Sequence, residues 1–126
     1  MTWIATVRPA DDERVRQARD AQHTLYPPEY DAPVLPHDDE IAGIVAAHSL
    51  IPDALHHAFA TFGALMSPDL PLTRRQHEMI ATIVSVTNGT SYCSVSHAEF
   101  LRRVTLDNTL VEAIRRDYRT APIDDG

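Results

Sequence analysis

The sequence predicts an all-α fold organised around a helix-turn-helix hairpin at about residues 73–104. Thr73 followed three residues later by Gln76 is a capping-box pattern, and a long apolar run starts soon after it. Asn88 and Gly89 then supply two residues that tolerate the left-handed backbone of a helix end or a tight turn. The sequence contains no convincing pair of alternating strand segments and no repeat, so helices alone account for its pattern.

The composition indicates one globular domain over residues 1–126. With 44% hydrophobic and 23% charged residues, the chain is long enough for one core and too short for two. A formal charge of −7 with 11 Lys and Arg residues argues against nucleic acid and membrane surfaces as partners, because both require clustered positive charge. One cysteine excludes an internal disulfide, and neither a membrane-spanning stretch nor a signal peptide is present. We therefore expect a cytoplasmic protein.

The first part of the chain is predicted to hold one helix between two irregular segments. Residues 1–10 are an apolar N-terminal arm that packs on the core or on a neighbouring subunit. Asp11 or Asp12 can cap the helix. Its inner face is predicted to carry Val15, Ala18, Ala21 and Leu25. Residues 26–39 hold four prolines, each of which removes a donor and restricts the preceding residue, so this Pro-rich loop is predicted to be extended.

Two further helices are predicted before the hairpin. Asp38 and Asp39 suit the start of the first, and Pro52 suits the first position of the second, where its missing N–H has no helical partner. The first is predicted to carry Ile41, Ile44, Val45 and His48, and the second Leu55, Phe59, Phe62 and Leu65. A Pro-rich break at residues 67–71 leads into the hairpin.

The hairpin and the last helix follow from apolar periodicity and capping. The first hairpin helix carries Met79, Ile80, Ala81, Ile83, Val84 and Val86, which predicts burial on nearly every side. Ser91 can cap the second hairpin helix, and Thr105 or Asp107 can cap the last one. The inner positions of these two helices are Phe100, Leu101 and Val104, then Leu110, Val111, Ile114 and Tyr118. The tail from 120 to 126 is expected to fray.

The candidate catalytic residues lie on the hairpin. Cys93 is in the first turn of the second hairpin helix, where the positive end of the helix dipole favours a thiolate. Residues four apart share a helix face, so His97 can take the thiol proton. Glu78, on the other arm, can reach back to orient or reprotonate the imidazole. Together these three residues could form a proton relay.

At these residues the chain resembles the alkylhydroperoxidase D and carboxymuconolactone decarboxylase superfamily, most closely its peroxidase-related enzyme branch. The family motif is a glutamate, eleven residues, a cysteine, two residues, a second cysteine, three residues and a histidine. Glu78, Cys93 and His97 match this motif in identity and spacing, whereas Thr90 replaces the first cysteine. A weaker likeness at residues 3–7 and a better one at 48–52 extend the resemblance to about two-thirds of the chain.

The resemblance implies an alkylhydroperoxidase-like helical bundle that works without a cofactor. It implies that Cys93 is the nucleophile and that the missing cysteine is its disulfide partner, so Thr90 excludes a family-type internal disulfide. Tyr92 and Ser85, with Thr90, are weaker candidates for a substrate pocket. Members of this branch continue with more helices after a segment like residues 110–117, whereas this chain stops.

Each candidate also has a purely structural interpretation. Cys93 could be a small buried hydrophobe, His97 a hydrogen-bonded core residue, and Glu78 a solvated residue early in its helix. No metal is expected, because the adjacent His56 and His57 point to different sides of a helix and no HExxH or Cys/His cluster occurs.

Three classes of function remain open. The first is a thiol-dependent antioxidant, a peroxidase-related oxidoreductase in which Cys93 attacks a peroxide or a disulfide and an external thiol acts as the resolving partner. The second is a cofactor-free acid-base enzyme, decarboxylase-like or lyase-like, that uses Glu78 and His97 on a small carbonyl or lactone substrate. The third is a degenerate, non-catalytic scaffold. We also expect a homo-oligomer, because so short a chain has few faces left to cover the apolar hairpin helix.

Overall fold

The computed structural model describes residues 3–34, 41 and 43–123, and all regular structure in these ranges is helical. The helices are α1 (Glu13–His23), α2 (Gly43–Ala46), α3 (Pro52–Leu65), α4 (Arg74–Thr87), α5 (Ser91–Thr105) and α6 (Asn108–Asp117). Two short 3-10 turns are present at Pro28–Tyr30 and Tyr118–Thr120. The predictions of an all-α fold and of a hairpin at 73–104, formed by α4 and α5, are confirmed.

Contacts divide the described residues into two compact units. One contains residues 3–27, 41 and 43–67, and the other contains residues 28–34 and 68–123. The expectation of a single domain over residues 1–126 stays a prediction.

In the first unit, α1 packs against α3. Asp12 caps α1 by accepting hydrogen bonds from the N–H groups of Arg14 (2.7 Å) and Val15 (3.4 Å). Pro52 opens α3 as predicted, and Val15 and Leu55 are fully buried. The inner faces are narrower than predicted, because an 11-residue helix and a 14-residue helix with one contact face bury few side chains. Exposed contrary to prediction are Ala21, Leu25 and Leu65.

The segments around these helices differ from expectation. The helix predicted from Asp38 and Asp39 appears as the four-residue α2, and both aspartates lie outside the described residues. In the N-terminal arm, Trp3 and Ile4 are exposed, whereas Pro9 is fully buried and the N–H of Val7 donates to the Ser49 hydroxyl at 2.7 Å, so the part of the arm nearer α1 packs within the first unit as predicted. The Pro-rich loop, described from 26 to 34, is not extended throughout, since residues 28–30 form a 3-10 turn.

In the second unit, α4, α5 and α6 share a core of Met79, Ala98, Leu101, Leu110, Val111 and Ile114. Asp107 is the cap of α6, because its carboxylate accepts the N–H of Leu110 at 2.9 Å. Tyr118, predicted to face inward, is 41% exposed, since α6 ends at Asp117 and Tyr118 starts a 3-10 turn.

Burial of α4 also differs from the prediction of a helix covered on nearly every side. Its buried residues are mostly polar: His77, Glu78, Met79, Thr82 and Ser85. Ile80 and Val84 are each 51% exposed. Hydrophobicity around the whole helix therefore did not indicate which face turns inward.

Substituting Gly63 in α3 tests the packing of the first unit. A Cβ at this position would lie 2.6 Å from Leu25 Cβ, closer than packed carbon atoms come, and 3.3 Å from Tyr26 Cδ1, a tight contact. Gly63→Ala should lower the free energy of unfolding by about 1 kcal/mol, because overpacking of about 1–3 kcal/mol outweighs a gain of up to about 1 kcal/mol in helix propensity. Urea unfolding measures this, with Gly43→Ala as control, since a Cβ there meets nothing within 4 Å. Equal stability of the two variants would contradict the packing described.

We predict that a second copy of this chain covers the exposed face of α4. Ile80 and Val84 lie one helical turn apart, and an uncovered apolar stripe favours association. Val84→Glu should therefore shift sedimentation at micromolar concentration toward the monomer. Thr109→Glu, an equally charged change at an exposed position of α6, should leave the assembly intact. A wild-type protein that sediments as a stable monomer would refute this prediction.

Candidate active site

The turn between α4 and α5 fixes the position of Cys93. Thr73 and Gln76 form the predicted capping box at the start of α4, and Gly89 has the left-handed backbone, with φ of 66°, that the Asn-Gly pattern predicted. The N-cap of α5 is Thr90 rather than Ser91, and no side chain caps this end. The Thr90 hydroxyl instead donates to the Ser85 carbonyl at 3.1 Å. Cys93 is thus the third residue of α5, in its first turn and partly buried.

Glu78 and His97 meet as the motif spacing predicted. Nδ1 of His97 lies 3.0 Å from Oε2 of Glu78, and the Glu78 side chain is fully buried. The alternative interpretation of Glu78 as a solvated residue is therefore wrong. Cys93 precedes His97 by four residues on α5, so the thiol and the imidazole share one helix face.

The second oxygen of Glu78 is also hydrogen-bonded. The hydroxyl of Tyr30 donates to Oε1 at 2.8 Å, and Nη2 of Arg74 donates to the same atom at 3.0 Å. These donors, one of them a guanidinium, favour the ionised carboxylate, which can only accept. The contact with Oε2 then assigns the proton of a neutral His97 to Nδ1 and leaves Nε2 as the basic nitrogen.

Tyr30 reaches this site from the Pro-rich loop. Its hydroxyl lies 3.3 Å from His97 Nδ1, and its ring centroid is 4.1 Å from that of Phe100. Burial, followed by the charge and the hydrogen bond of Glu78, raises the pKa of Tyr30 far above its ordinary value, so the hydroxyl stays protonated. Sequence reasoning missed this residue, because a loop tyrosine 48 positions before Glu78 gives no periodic signal.

Arg74 links Glu78 to a second carboxylate. Its Nη2 lies 2.6 Å from Oε1 of Glu29, and its Nη1 donates to Nδ1 of His77 at 2.7 Å. Burial and the neighbouring guanidinium lower the pKa of His77, so its imidazole is neutral near pH 7. With a neutral His97, the group formed by Glu29, Arg74, Glu78 and His97 carries one net negative charge. A proton on His97 would balance it.

The weaker candidates for a substrate pocket, Ser85, Thr90 and Tyr92, make contacts within the protein that do not point to a substrate. The Ser85 hydroxyl donates to the Ala81 carbonyl of its own helix at 2.7 Å, and the Thr90 hydroxyl donates to the Ser85 carbonyl. Tyr92 is half-buried, and burial raises its pKa above the ordinary value, with the charge of Cys93 as a lesser cause. A surface groove of about 430 Å³ beside α5 is lined partly by Ser91 and Ser94 and does not include Cys93. None of these contacts indicates a substrate.

No group of three or more His, Cys, Asp or Glu side chains in the described ranges could hold a metal ion. None of the helices described has the length and hydrophobicity that a membrane-spanning segment requires.

Comparison with known proteins gives one match. Residues 52–119, more than half of the chain, match the carboxymuconolactone decarboxylase family, and this segment contains Glu78, Cys93 and His97. No curated protein and no solved structure matches the chain significantly.

Proposed function

Because the chain belongs to the carboxymuconolactone decarboxylase family, we propose that it is an alkylhydroperoxidase-like thiol peroxidase with Cys93 as its nucleophile. The observation that carries this proposal is the 3.0 Å contact between His97 Nδ1 and buried Glu78. It leaves Nε2 as a base on the helix face that also carries Cys93. The family and this geometry support a proton relay that makes the thiolate.

In the first step, Nε2 of His97 takes the proton of the Cys93 thiol, while Glu78 holds the imidazolium. The thiolate then attacks one oxygen of a hydroperoxide, and the O–O bond breaks. Sulfur is oxidised by two electrons to the sulfenic acid, and the peroxide is reduced by two electrons. The departing alkoxide takes the proton back from His97 and leaves as an alcohol.

The second step requires an external thiol, because Cys93 is the single cysteine of the chain. A small thiol attacks the sulfenic sulfur, which releases water and forms a mixed disulfide. A second thiol molecule then attacks the external sulfur of the mixed disulfide. The Cys93 thiol is restored, and the two external thiols leave joined as a disulfide. Oxygen, protons and electrons balance over the cycle.

A second candidate function is acid-base catalysis on a small carbonyl or lactone substrate. The observation that favours it is that the contacts of His97 with Glu78 and Tyr30 do not involve the thiol. Cys93→Ser separates the two functions, since it should abolish peroxide reduction and leave an acid-base activity in place.

The pH dependence of Cys93 alkylation tests the relay. In the wild type, the rate with iodoacetamide should have its midpoint below about 8.5, the value of a free thiol. His97→Ala should move the midpoint upward by about one pH unit, a tenfold change in thiolate population. Glu78→Gln should move it less, because the carboxylate acts through the imidazole. Mass spectrometry of the Cys93 peptide gives the rates.

The control for this experiment is His57→Ala, which removes an exposed histidine of the first unit and should leave the midpoint unchanged. A wild-type midpoint at or above that of a free thiol would refute the thiolate mechanism. Treatment with graded peroxide, with and without a small thiol, completes the test. Sulfenic acid should accumulate on Cys93 without the thiol and disappear with it.

Thr90→Cys should restore a dithiol centre. Thr90 is the N-cap and Cys93 the third residue of α5, and two cysteines can close a disulfide when their Cα atoms lie within about 7 Å. After oxidation, intact-mass analysis should show a loss of two hydrogens within one chain. The matched control is Ser94→Cys, whose side chain adjoins Cys93 in sequence and points to a different side of the helix. Intermolecular dimers or sulfinate alone in Thr90→Cys would contradict the inferred geometry.

A further inference from the structure

We propose that Tyr30 is a positioning residue of this site, whose hydroxyl keeps buried Glu78 ionised and thereby keeps Nε2 of His97 unprotonated, so that it can act as a base. The inference rests on the proposed function only where it concerns proton transfer from the Cys93 thiol. The effect of the hydrogen-bond donors on Glu78 is the same for any substrate whose proton His97 takes.

The distances divide the donors between the two oxygens of Glu78. Oε1 accepts from Tyr30 at 2.8 Å and from Arg74 at 3.0 Å, and Oε2 accepts from His97 at 3.0 Å. The carboxylate is fully buried, so a lost donor cannot be replaced easily by water. Tyr30 is therefore a substantial part of what favours the ionised form.

Contacts other than the hydroxyl hold Tyr30 in place. Its ring packs on Phe100, and Arg103 Nη1 donates to the carbonyls of Glu29 at 3.1 Å and Ala32 at 2.8 Å, on either side of Tyr30. The ion pair between Glu29 and Arg74 fixes the same turn on α4. Tyr30→Phe should thus keep the loop and the ring where they are and remove one hydrogen bond.

The loss of this hydrogen bond has a defined chemical consequence. A hydrogen bond to the charged form favours that form, so Glu78 should take up a proton more readily without Tyr30. A protonated Glu78 donates instead of accepting, and Nδ1 of His97 then becomes the acceptor. The ring proton moves to Nε2, which can no longer receive a proton from Cys93.

The other charged groups around Glu78 do not replace Tyr30. From its own helix Arg74 faces it, but this guanidinium also serves Glu29 and His77. From α5 the imidazole of His97 faces it, and a proton there would add to the attraction. Glu29 contributes a second negative charge through Arg74, which favours protonation of one of the two carboxylates.

Carboxyl ¹³C NMR of glutamate-labelled protein tests the proposal directly, with the Glu78 signal assigned from Glu78→Gln. In Tyr30→Phe the titration midpoint of Glu78 should rise by about one to two pH units, a 10- to 100-fold change in its protonation equilibrium. Tyr26→Phe is the matched control, because Tyr26 is a half-buried tyrosine of the same loop that packs on Phe62 in the first unit. Its Glu78 midpoint should equal that of the wild type.

A second readout follows the imidazole. In ¹⁵N spectra of histidine-labelled Cys93→Ser protein, the neutral ring of His97 should carry its proton on Nδ1. As the pH is lowered and Glu78 takes up a proton, the ring proton should move toward Nε2. With Tyr30→Phe added, this change should occur at a higher pH than in Cys93→Ser alone. If Tyr30→Phe fails to fold, 3-fluorotyrosine incorporation replaces it. The fluorinated hydroxyl is a stronger donor, so the Glu78 midpoint should fall.

An unchanged Glu78 midpoint in Tyr30→Phe, or in the fluorinated protein if Tyr30→Phe does not fold, would overturn the proposal and reduce Tyr30 to a packing residue. Failure of the proposed peroxidase function and failure of the proposed role of Tyr30 give different results. If wild-type Cys93 shows no reactivity below the range of a free thiol, the peroxidase proposal fails, whereas the NMR titrations still decide the role of Tyr30.

Discussion

The burial of an ionised carboxylate at Glu78 is the constraint on which the second unit depends. Such a charge is tolerated away from water only when donors satisfy it, and here they come from Arg74, His97 and Tyr30. The carboxylate also explains why α4 turns a polar face inward. On a helix, residues 82 and 85 share the face of Glu78, whereas Ile80 and Val84 point away from it. Satisfying one charge thus exposes apolar side chains that a simple core would have covered.

The loop before α2 is coupled to this charge by several contacts. Arg74 serves Glu78 and Glu29 at once, so the same guanidinium that satisfies the buried carboxylate also fixes the 3-10 turn. Arg103 holds the carbonyls of that turn, and Tyr30 packs on Phe100. The group formed by Glu29, Arg74, Glu78 and His97 carries one net negative charge when His97 is neutral. A proton that arrives on His97 therefore completes the charge balance, which links the packing of the loop to proton transfer.

Local signals in the sequence were sufficient for the helices and for part of the site. The capping box at Thr73, the proline at the start of α3 and the turn at Gly89 each act within a few residues, and each was predicted correctly. The contact of Glu78 with His97 followed from the motif spacing. Tyr30 was missed because its role depends on a loop folding back over a long stretch of chain. Arg74 lies four residues before Glu78 on α4, so the spacing of this ion pair was a local signal that the prediction overlooked. The inward face of α4 was mispredicted because an apolar run on all sides has no preferred direction.

In a peroxidase cycle of the proposed kind, a threonine at position 90 would affect the release of oxidised Cys93 and not the groups that transfer its proton. Thr90 donates both its backbone N–H and its hydroxyl to the Ser85 carbonyl near the end of α4, each at 3.1 Å, and a cysteine at this position would keep the backbone bond. The hydrogen bonds of Glu78 with Tyr30, Arg74 and His97 do not involve the side chain at position 90. Under the proposed mechanism, the absence of a cysteine at position 90 thus changes how an oxidised Cys93 is released and leaves unchanged the groups that would make its thiolate. Under the proposed peroxidase function, turnover depends on an external thiol, and its rate should follow the supply of that thiol.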